Sequence, residues 1–173
     1  GGYLVDLALV NGHEVKVFDF LLYEDAFLKD VEFVYGDINN IKELLPHLLW
    51  ADTIIWLAAF VGDAACALNP GLTMKTNVDS LKSVLEVFDG QVIFPSTCSV
   101  YGAQEGLLDE KSPLNPLSLY AESKINAEKI LSEAPNKSLI LRLGTLFGLS
   151  DKYARLRVDR SEEHTSELQS RQY

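Results

Sequence analysis

Basic charge is the first thing this sequence is short of. Its 15 Lys and Arg face 25 Asp and Glu, a net charge of -10 over 173 residues. A nucleic-acid surface needs the opposite balance, because phosphates must be met by cations. Long apolar runs are missing too. The longest, Ile54 to Val61, falls far short of the roughly 20 residues that cross a bilayer. Neither nucleic acid nor a membrane is an expected partner. Cysteine is scarce, and Cys66 and Cys98 have no framework spacing, which points to reduced thiols in a cytoplasmic protein. The three histidines (His13, His47 and His164) are scattered without metal-ligand spacing, so no metal is implied. No signal peptide is visible, and the chain opens on Gly1-Gly2 without an initiator Met. What remains is ordinary for a globular chain, with 47% hydrophobic and 23% charged residues and length for one domain with a substantial core.

Hydrophobic periodicity alternates along the chain. Leu4, Val5, Ala8 and Leu9 have helical spacing that Asn11-Gly12 stops, and Glu14 to Phe18 alternates as a strand ending on Asp19. Val31 to Tyr35 is a second strand, closed by Gly36-Asp37. Ile41, Leu44, Leu45, Leu48 and Leu49 mark one helix face, and the apolar run Thr53 to Ala59 suits a strand covered on both sides. Val78, Leu81, Leu85 and Phe88 place another helix, Gln91 to Phe94 a strand, and Gly102 to Ser118 a loop. A helix from Tyr120 to about Glu133 and a strand from Ser138 to Leu143 complete the series. Strands alternating with helices predict a doubly wound α/β fold, a parallel sheet with helices on both faces. Ligands bind such sheets beyond the carboxyl ends of the strands. Asp19, Asp37, Ala58 to Phe60, Ser96 to Ser99, Gly144 and the loop into Tyr120 all fall there.

Within that series Tyr120-Ala-Glu-Ser-Lys124 carries the chemistry. Residues four apart share a helix face, so phenol and ammonium project side by side. A fixed positive charge favours the phenolate, which suits the pair to proton transfer with a hydroxyl or carbonyl oxygen. By spacing alone a solvated helix face is the better explanation of the pair.

Both ends look artificial. No strand precedes the first helix, although a dinucleotide-binding fold places its first strand at the centre of the sheet, so the first strand is expected to be missing. Arg160 to Ser170 matches the translation of a common sequencing-library adapter, and Arg171 to Tyr173 continue it. Residues 160–173 are therefore set aside as a disordered artefactual tail, leaving 1–159 as a partial dinucleotide-binding domain.

With those ends set aside the chain resembles the extended short-chain dehydrogenase/reductases, and more narrowly the NAD-dependent epimerase/dehydratase group that acts on nucleotide sugars. The resemblance rests on Gly1, Asp19, Gly36-Asp37-Ile38, Leu57-Ala58-Ala59, Thr76-Asn77-Val78, Pro95 to Gly102, the Tyr120/Lys124 pair and Arg142 to Gly148. It implies a Rossmann-like sheet lacking its first strand and the C-terminal substrate lobe. Gly1 aligns with the last glycine of the phosphate-binding turn, whose first two glycines are absent. Asp19 would accept the adenosine ribose hydroxyls, and no Arg or Lys in Phe18 to Asp25 is there for a 2'-phosphate, which favours NAD over NADP. Asp37 and Ile38 match the adenine edge, with a helix N-cap before Ile41 as the plain alternative for Asp37. Leu57, Ala58 and Ala59 match the strand end where backbone approaches cofactor, Asn77 an asparagine that orders the active-site backbone, and Gly144 the nicotinamide pocket. Asp109-Glu110, Pro113, Asn115 and Pro116 match the loop before the Tyr helix in nucleotide-sugar members.

The same resemblance assigns Tyr120 as acid/base, Lys124 as the residue that tunes it and binds the nicotinamide ribose, and Thr97 as the hydroxyl on the reacting oxygen. Ser96 and Ser99 offer the same chemistry as Thr97, and Cys98, lacking a His partner in sequence, reads as packing. Family dehydratases carry Asp-Glu where Cys98-Ser99 stand, which leans the expectation towards an epimerase or simple oxidoreductase. The alternatives are a carbonyl reductase or dehydrogenase on a non-sugar substrate, and a non-catalytic NAD-binding module. Members often pair through helices of this region, so a second copy is a candidate partner. Taken alone, this chain is expected neither to fold stably nor to turn over.

Overall fold

The computed structural model describes residues 1–22, 27, 29–144, 146, 148–149 and 156–157. The adapter-like segment 160–173 and part of the Arg142 to Gly148 stretch lie outside them. The chain divides into two compact units, Gly1–Val15 with Leu143–Tyr173, and Lys16–Arg142.

In the first unit α1 (Gly2–Val10) starts on Gly1 and stops at Asn11, whose side-chain amide donates to the Leu7 carbonyl at 2.8 Å. Gly12 follows at φ +79°, the left-handed step that ends a helix cheaply only for glycine. Of the four apolar residues expected to form its buried stripe, Val5 is buried while Leu4 and Leu9 are exposed. The unit also holds a short antiparallel pair, β6 (Gly148–Leu149) with β7 (Leu156–Arg157).

The second unit carries the parallel strands. β1 (Lys16–Asp19) pairs in parallel with β2 (Glu32–Tyr35), and β3 (Thr53–Ile55) in parallel with β4 (Gln91–Thr97). β5 (Ser138–Leu143) lies along the other side of β4, giving one two-stranded and one three-stranded sheet. Between strands run α2 (Ile41–Trp50), α3 (Asp63–Leu68), α4 (Pro70–Met74), α5 (Ser80–Leu85) and α6 (Leu119–Glu133). The expected α/β alternation is therefore present, and strand β4 extends to Thr97 where the sequence pattern stopped it at Phe94.

One core joins these elements. Leu44 and Leu48 of α2, Leu81 and Val84 of α5, Val92 and Phe94 of β4, and Ala127 and Leu131 of α6 pack with Trp56 and Phe88. Phe18 and Ile38, from the two-stranded sheet's side, pack against the same cluster. Leu49, expected on the buried face of α2, is 74% exposed. Pro46 sits inside that helix, and the residues facing the core are Leu44 and Leu48, four apart. The run Thr53 to Ala59 is not covered on both sides as expected. Ile54 and Trp56 face the core, whereas Ile55 and Leu57 are exposed, as are Leu139 and Leu141 on β5. Period-2 alternation puts these four on one apolar sheet face that the described residues leave open.

Two helices escaped the sequence pattern, α3 and α4. The signal for α4 was present in Asn69-Pro70, an N-cap followed by a proline at the first helical position. Asn69 Oδ1 accepts the Leu72 amide at 3.1 Å. From α4 the chain passes through a π-helical turn, Lys75–Asp79, straight into α5.

Leu81 has no exposed surface, so Leu81→Ala is expected to cost about 2–5 kcal/mol by lost transfer energy and cavity formation. Leu49→Ala is expected to stay within about 0.5 kcal/mol. Urea unfolding of the two variants against the parent reads the difference.

Candidate active site

The site is built where β4 ends and α6 begins. Along β4 alternate side chains take opposite faces. Val92, Phe94 and Ser96 are buried on the α6 side, and Thr97 is half-buried on the other. This separates two hydroxyls that sequence alone left equivalent. Ser96 Oγ donates to the Glu128 carboxylate, while Thr97 Oγ1 accepts the Ser99 amide at 3.1 Å and donates to Ser99 Oγ at 3.1 Å. Thr97 thereby caps the 3-10 turn Cys98–Tyr101. Cys98, read from sequence as packing, is exposed in that turn.

α6 begins at Ser118, whose Oγ accepts the Ala121 amide at 3.2 Å, and this cap puts Tyr120 in the first turn. Lys124 follows one turn on, 4% exposed. Its Nζ donates to the Pro95 carbonyl at 2.9 Å, lies 4.4 Å from the Phe94 ring centre and 6.0 Å from that of Tyr120. A cation between two ring faces is favourable, but leaving water is not. Burial pulls the Lys124 amine down from its usual range to about 8, and the charges of Glu128 and Cys66 oppose that shift.

Asn77 sits in the π-helical turn, 2% exposed. Its Oδ1 accepts the Phe60 amide at 2.7 Å, and its Nδ2 donates to the Phe60 carbonyl at 2.9 Å and to Ser123 Oγ at 3.0 Å. One amide thus ties the segment after Leu57, Ala58 and Ala59 to the helix of Tyr120 and Lys124. Asn77 lies inside a continuous helical run, where the π turn aims it across the site.

At the end of β1 the Asp19 carboxylate is exposed, with Oδ1 accepting the Leu21 amide at 2.7 Å in a turn where Leu21 has φ +51°. Asp37 is not the N-cap of α2; that position belongs to Asn40. Asp37 Oδ1 instead accepts both the backbone and side-chain N–H of Asn39 at 2.9 Å, closing a local turn beside Ile38. Gly1 and Gly144 belong to the other unit. Gly1 is exposed at the head of α1, and a methyl group at Gly144 would meet nothing.

The Gly102 to Ser118 loop is anchored at its start. Gly102 has φ +64°, and a side chain there would collide with the Asn115 carbonyl oxygen, so both handedness and space demand glycine. The Asn115 amide donates to the Val100 carbonyl at 3.0 Å. Asp109 closes a turn with the Ser112 hydroxyl and the Lys111 amide at 3.0 Å, which hold its carboxyl below the usual range. Arg142, Glu128 and Tyr101 form a further polar cluster that the sequence reading did not single out. Glu128 was detectable as the next position on the Tyr120/Lys124 face. Among the described residues no three His, Cys, Asp or Glu side chains gather as a metal site, and no helix is long and apolar enough to cross a membrane.

The unit is a Rossmann-like α/β fold with Tyr120 and Lys124 at the edge beyond the strand ends. Consistently, residues 1–164 match the model of the NAD dependent epimerase/dehydratase family, and the chain belongs to that family. It is 31% identical over 123 residues to the N-acetyl-alpha-D-glucosaminyl-diphospho-ditrans,octacis-undecaprenol 4-epimerase of Escherichia coli O157:H7, covering 65% of this chain and 37% of that protein. It is 27% identical over 144 residues to the UDP-glucose 4-epimerase of Lactobacillus helveticus, covering 78% and 43%. The crystal structure of UDP-glucose 4-epimerase from Brucella ovis in complex with NAD superposes with a TM-score of 0.80 at 24% identity. That match covers 87% of this chain and 50% of the other, and shows a shared fold. The matches span half or less of each relative's length.

Lys124 supplies a pH-dependent test. Below pH 8 it is charged in both folded and unfolded chains, and between about 8 and 10.5 only the unfolded chain keeps the proton. Stability of the parent relative to Lys124→Met should therefore rise across that window, by on the order of 3 kcal/mol. Paired urea titrations at pH 7 and 10.5 measure it; a constant gap would place Lys124 at an ordinary pKa.

Proposed function

We propose that the full-length protein is an NAD-dependent nucleotide-sugar epimerase, and that this chain supplies its cofactor-binding and proton-transfer residues. The observation that carries the reading is Lys124, buried beside Tyr120 and fixed to the backbone two residues before Thr97. An ammonium held there favours the phenolate, so Tyr120 takes the proton of a sugar hydroxyl and returns it to the keto oxygen. The Ser99 amide holds the Thr97 oxygen, and the Thr97 hydroxyl turns its one hydrogen from Ser99 Oγ to the same substrate oxygen. Asn77 holds the Phe60 backbone against the Tyr120 helix and so keeps the strand end in register with the acid/base.

The donor set fits NAD. Asp19 presents an exposed carboxylate at the end of a strand, the chemistry a ribose diol requires, and Asp37-Ile38 and Leu57 to Ala59 follow at the next two strand ends. When bound, NAD supplies the hydride acceptor and donor. The nucleotide-sugar class is carried over from the UDP-glucose 4-epimerase to which the chain is related; the other relative is named for a sugar on undecaprenyl diphosphate, and 4-epimerisation is what the two names share. Cys98 and Ser99 put no carboxylic acid beside Thr97, and elimination of water needs one, which favours epimerisation over dehydration.

In the full-length protein Tyr120→Phe is expected to lower kcat by at least about 100-fold with a small change in KM, since a general acid/base contributes roughly 10²–10⁴. Interconversion of UDP-glucose and UDP-galactose without net change in nicotinamide absorbance supports the epimerase. Stoichiometric consumption of reduced cofactor with a carbonyl substrate would replace it with a reductase. Binding of NAD without turnover of any sugar nucleotide would point to a binding module.

A further inference from the structure

Two adjacent side-chain ties join α6 to β4. Lys124 donates to the Pro95 carbonyl, and one turn later Glu128 accepts the hydroxyl of Ser96. Tyr120, Lys124 and Glu128 recur every four residues on one helix face, while Pro95, Ser96 and Thr97 are consecutive on the strand. The spacing between the Tyr120 and Thr97 backbones is therefore set by these two ties.

Glu128 is 6% exposed and holds more than Ser96. Arg142 of β5 donates to it from Nε at 3.1 and 3.2 Å and from Nη2 at 2.7 Å. That pairing holds the guanidinium firmly in its charged form. The other end of Arg142 reaches the Tyr101 hydroxyl at 2.9 Å and the Glu110 carbonyl at 3.2 Å. One carboxylate thus connects α6, β4, β5, the 3-10 turn and the loop ahead of Tyr120. The proton-transfer scheme makes no use of it. A buried ion pair is a poor way to glue a helix to a sheet, because an apolar pair of similar volume does so without the desolvation cost.

We infer that Glu128 is a positioning residue for the Tyr120 site: its ties to Ser96 and Arg142 fix α6 against the end of β4. The inference rests on the catalytic reading of Tyr120 and Lys124. Burial favours the neutral amine, and Glu128 is the larger of the two charges that oppose it, the other being Cys66 from α3. Among the described residues the other titratable groups tied to Lys124 and Glu128 are Tyr120, on the same helix as Lys124, and Arg142, which pairs with Glu128. β4 offers no titratable group here, only the Phe94 ring and the Pro95 carbonyl.

The experiment measures kcat and KM against pH for the full-length enzyme and its Glu128→Gln, Ser96→Ala and Tyr120→Phe variants. Glu128→Gln removes the charge but keeps an acceptor, and should lower kcat roughly 10- to 100-fold at nearly unchanged KM. Losing the carboxylate lowers the Lys124 pKa, so the alkaline fall in kcat moves to lower pH. Ser96→Ala removes one tie and no charge, and should lower kcat about three- to tenfold without moving that limb. A folded Glu128→Gln enzyme with the parent's kcat and alkaline limb overturns the inference, as does a loss of kcat that only tracks the loss of folded protein. Should Glu128→Gln fail to fold, Ser96→Ala decides, with an unchanged kcat overturning the inference and a lowered kcat at constant KM supporting it. Full activity in Tyr120→Phe brings down the catalytic reading and this inference together. An inactive Tyr120→Phe beside an unaffected Glu128→Gln brings down this inference alone.

Discussion

A positive charge held out of water is the constraint around which the site is arranged. Lys124 lies on the inner face of α6, where apolar neighbours such as Phe94, Ala127 and Leu131 would suit an aliphatic side chain better. Desolvation works against the ammonium, and the surrounding groups answer it in kind. The Pro95 carbonyl accepts its hydrogen bond, two aromatic rings face it, and the Glu128 carboxylate stands one turn away. Glu128 is itself buried and needs its own partners, which Ser96 and Arg142 supply. A single buried charge thus explains a chain of polar choices reaching across three elements.

The same helix is fixed from its other side by an uncharged device. The π-helical turn carries Asn77, whose amide satisfies both backbone groups of Phe60 and also reaches Ser123. A buried amide with all three of these bonds made tolerates little displacement, since each broken bond leaves a polar group unpaired. The segment after β3, the π turn that leads into α5, and the end of β4 are held to α6 by neighbours in sequence, Ser123 and Lys124, that point to different partners. Rigid support of this kind is what proton transfer asks for, because reaction geometry is sensitive to shifts of about 1 Å.

The unit leaves an apolar sheet face open at Ile55, Leu57, Leu139 and Leu141, and its matches span half or less of each relative's length. The polar groups of the site, by contrast, already find their partners within Lys16–Arg142.

Elements with strong local signals were legible from sequence: the Tyr120 helix to Glu133, the strand Ser138 to Leu143 and the α/β alternation follow from side-chain period, caps and turn residues, which act over a few positions. The Tyr120/Lys124 pair was legible for the same reason, as a spacing on one helix. The exposure of Leu49, Ile55 and Leu57 was not, because an apolar residue does not say whether another element arrives to cover it. The π-helical turn has no composition of its own and exists only because Asn77 finds Phe60 and Ser123. Sequence could not distinguish Ser96 from Thr97, or show that Glu128 meets Arg142, 14 residues on. Those choices depend on which face of β4 receives α6, and that is a decision of packing across long separations, made only when the chain is folded.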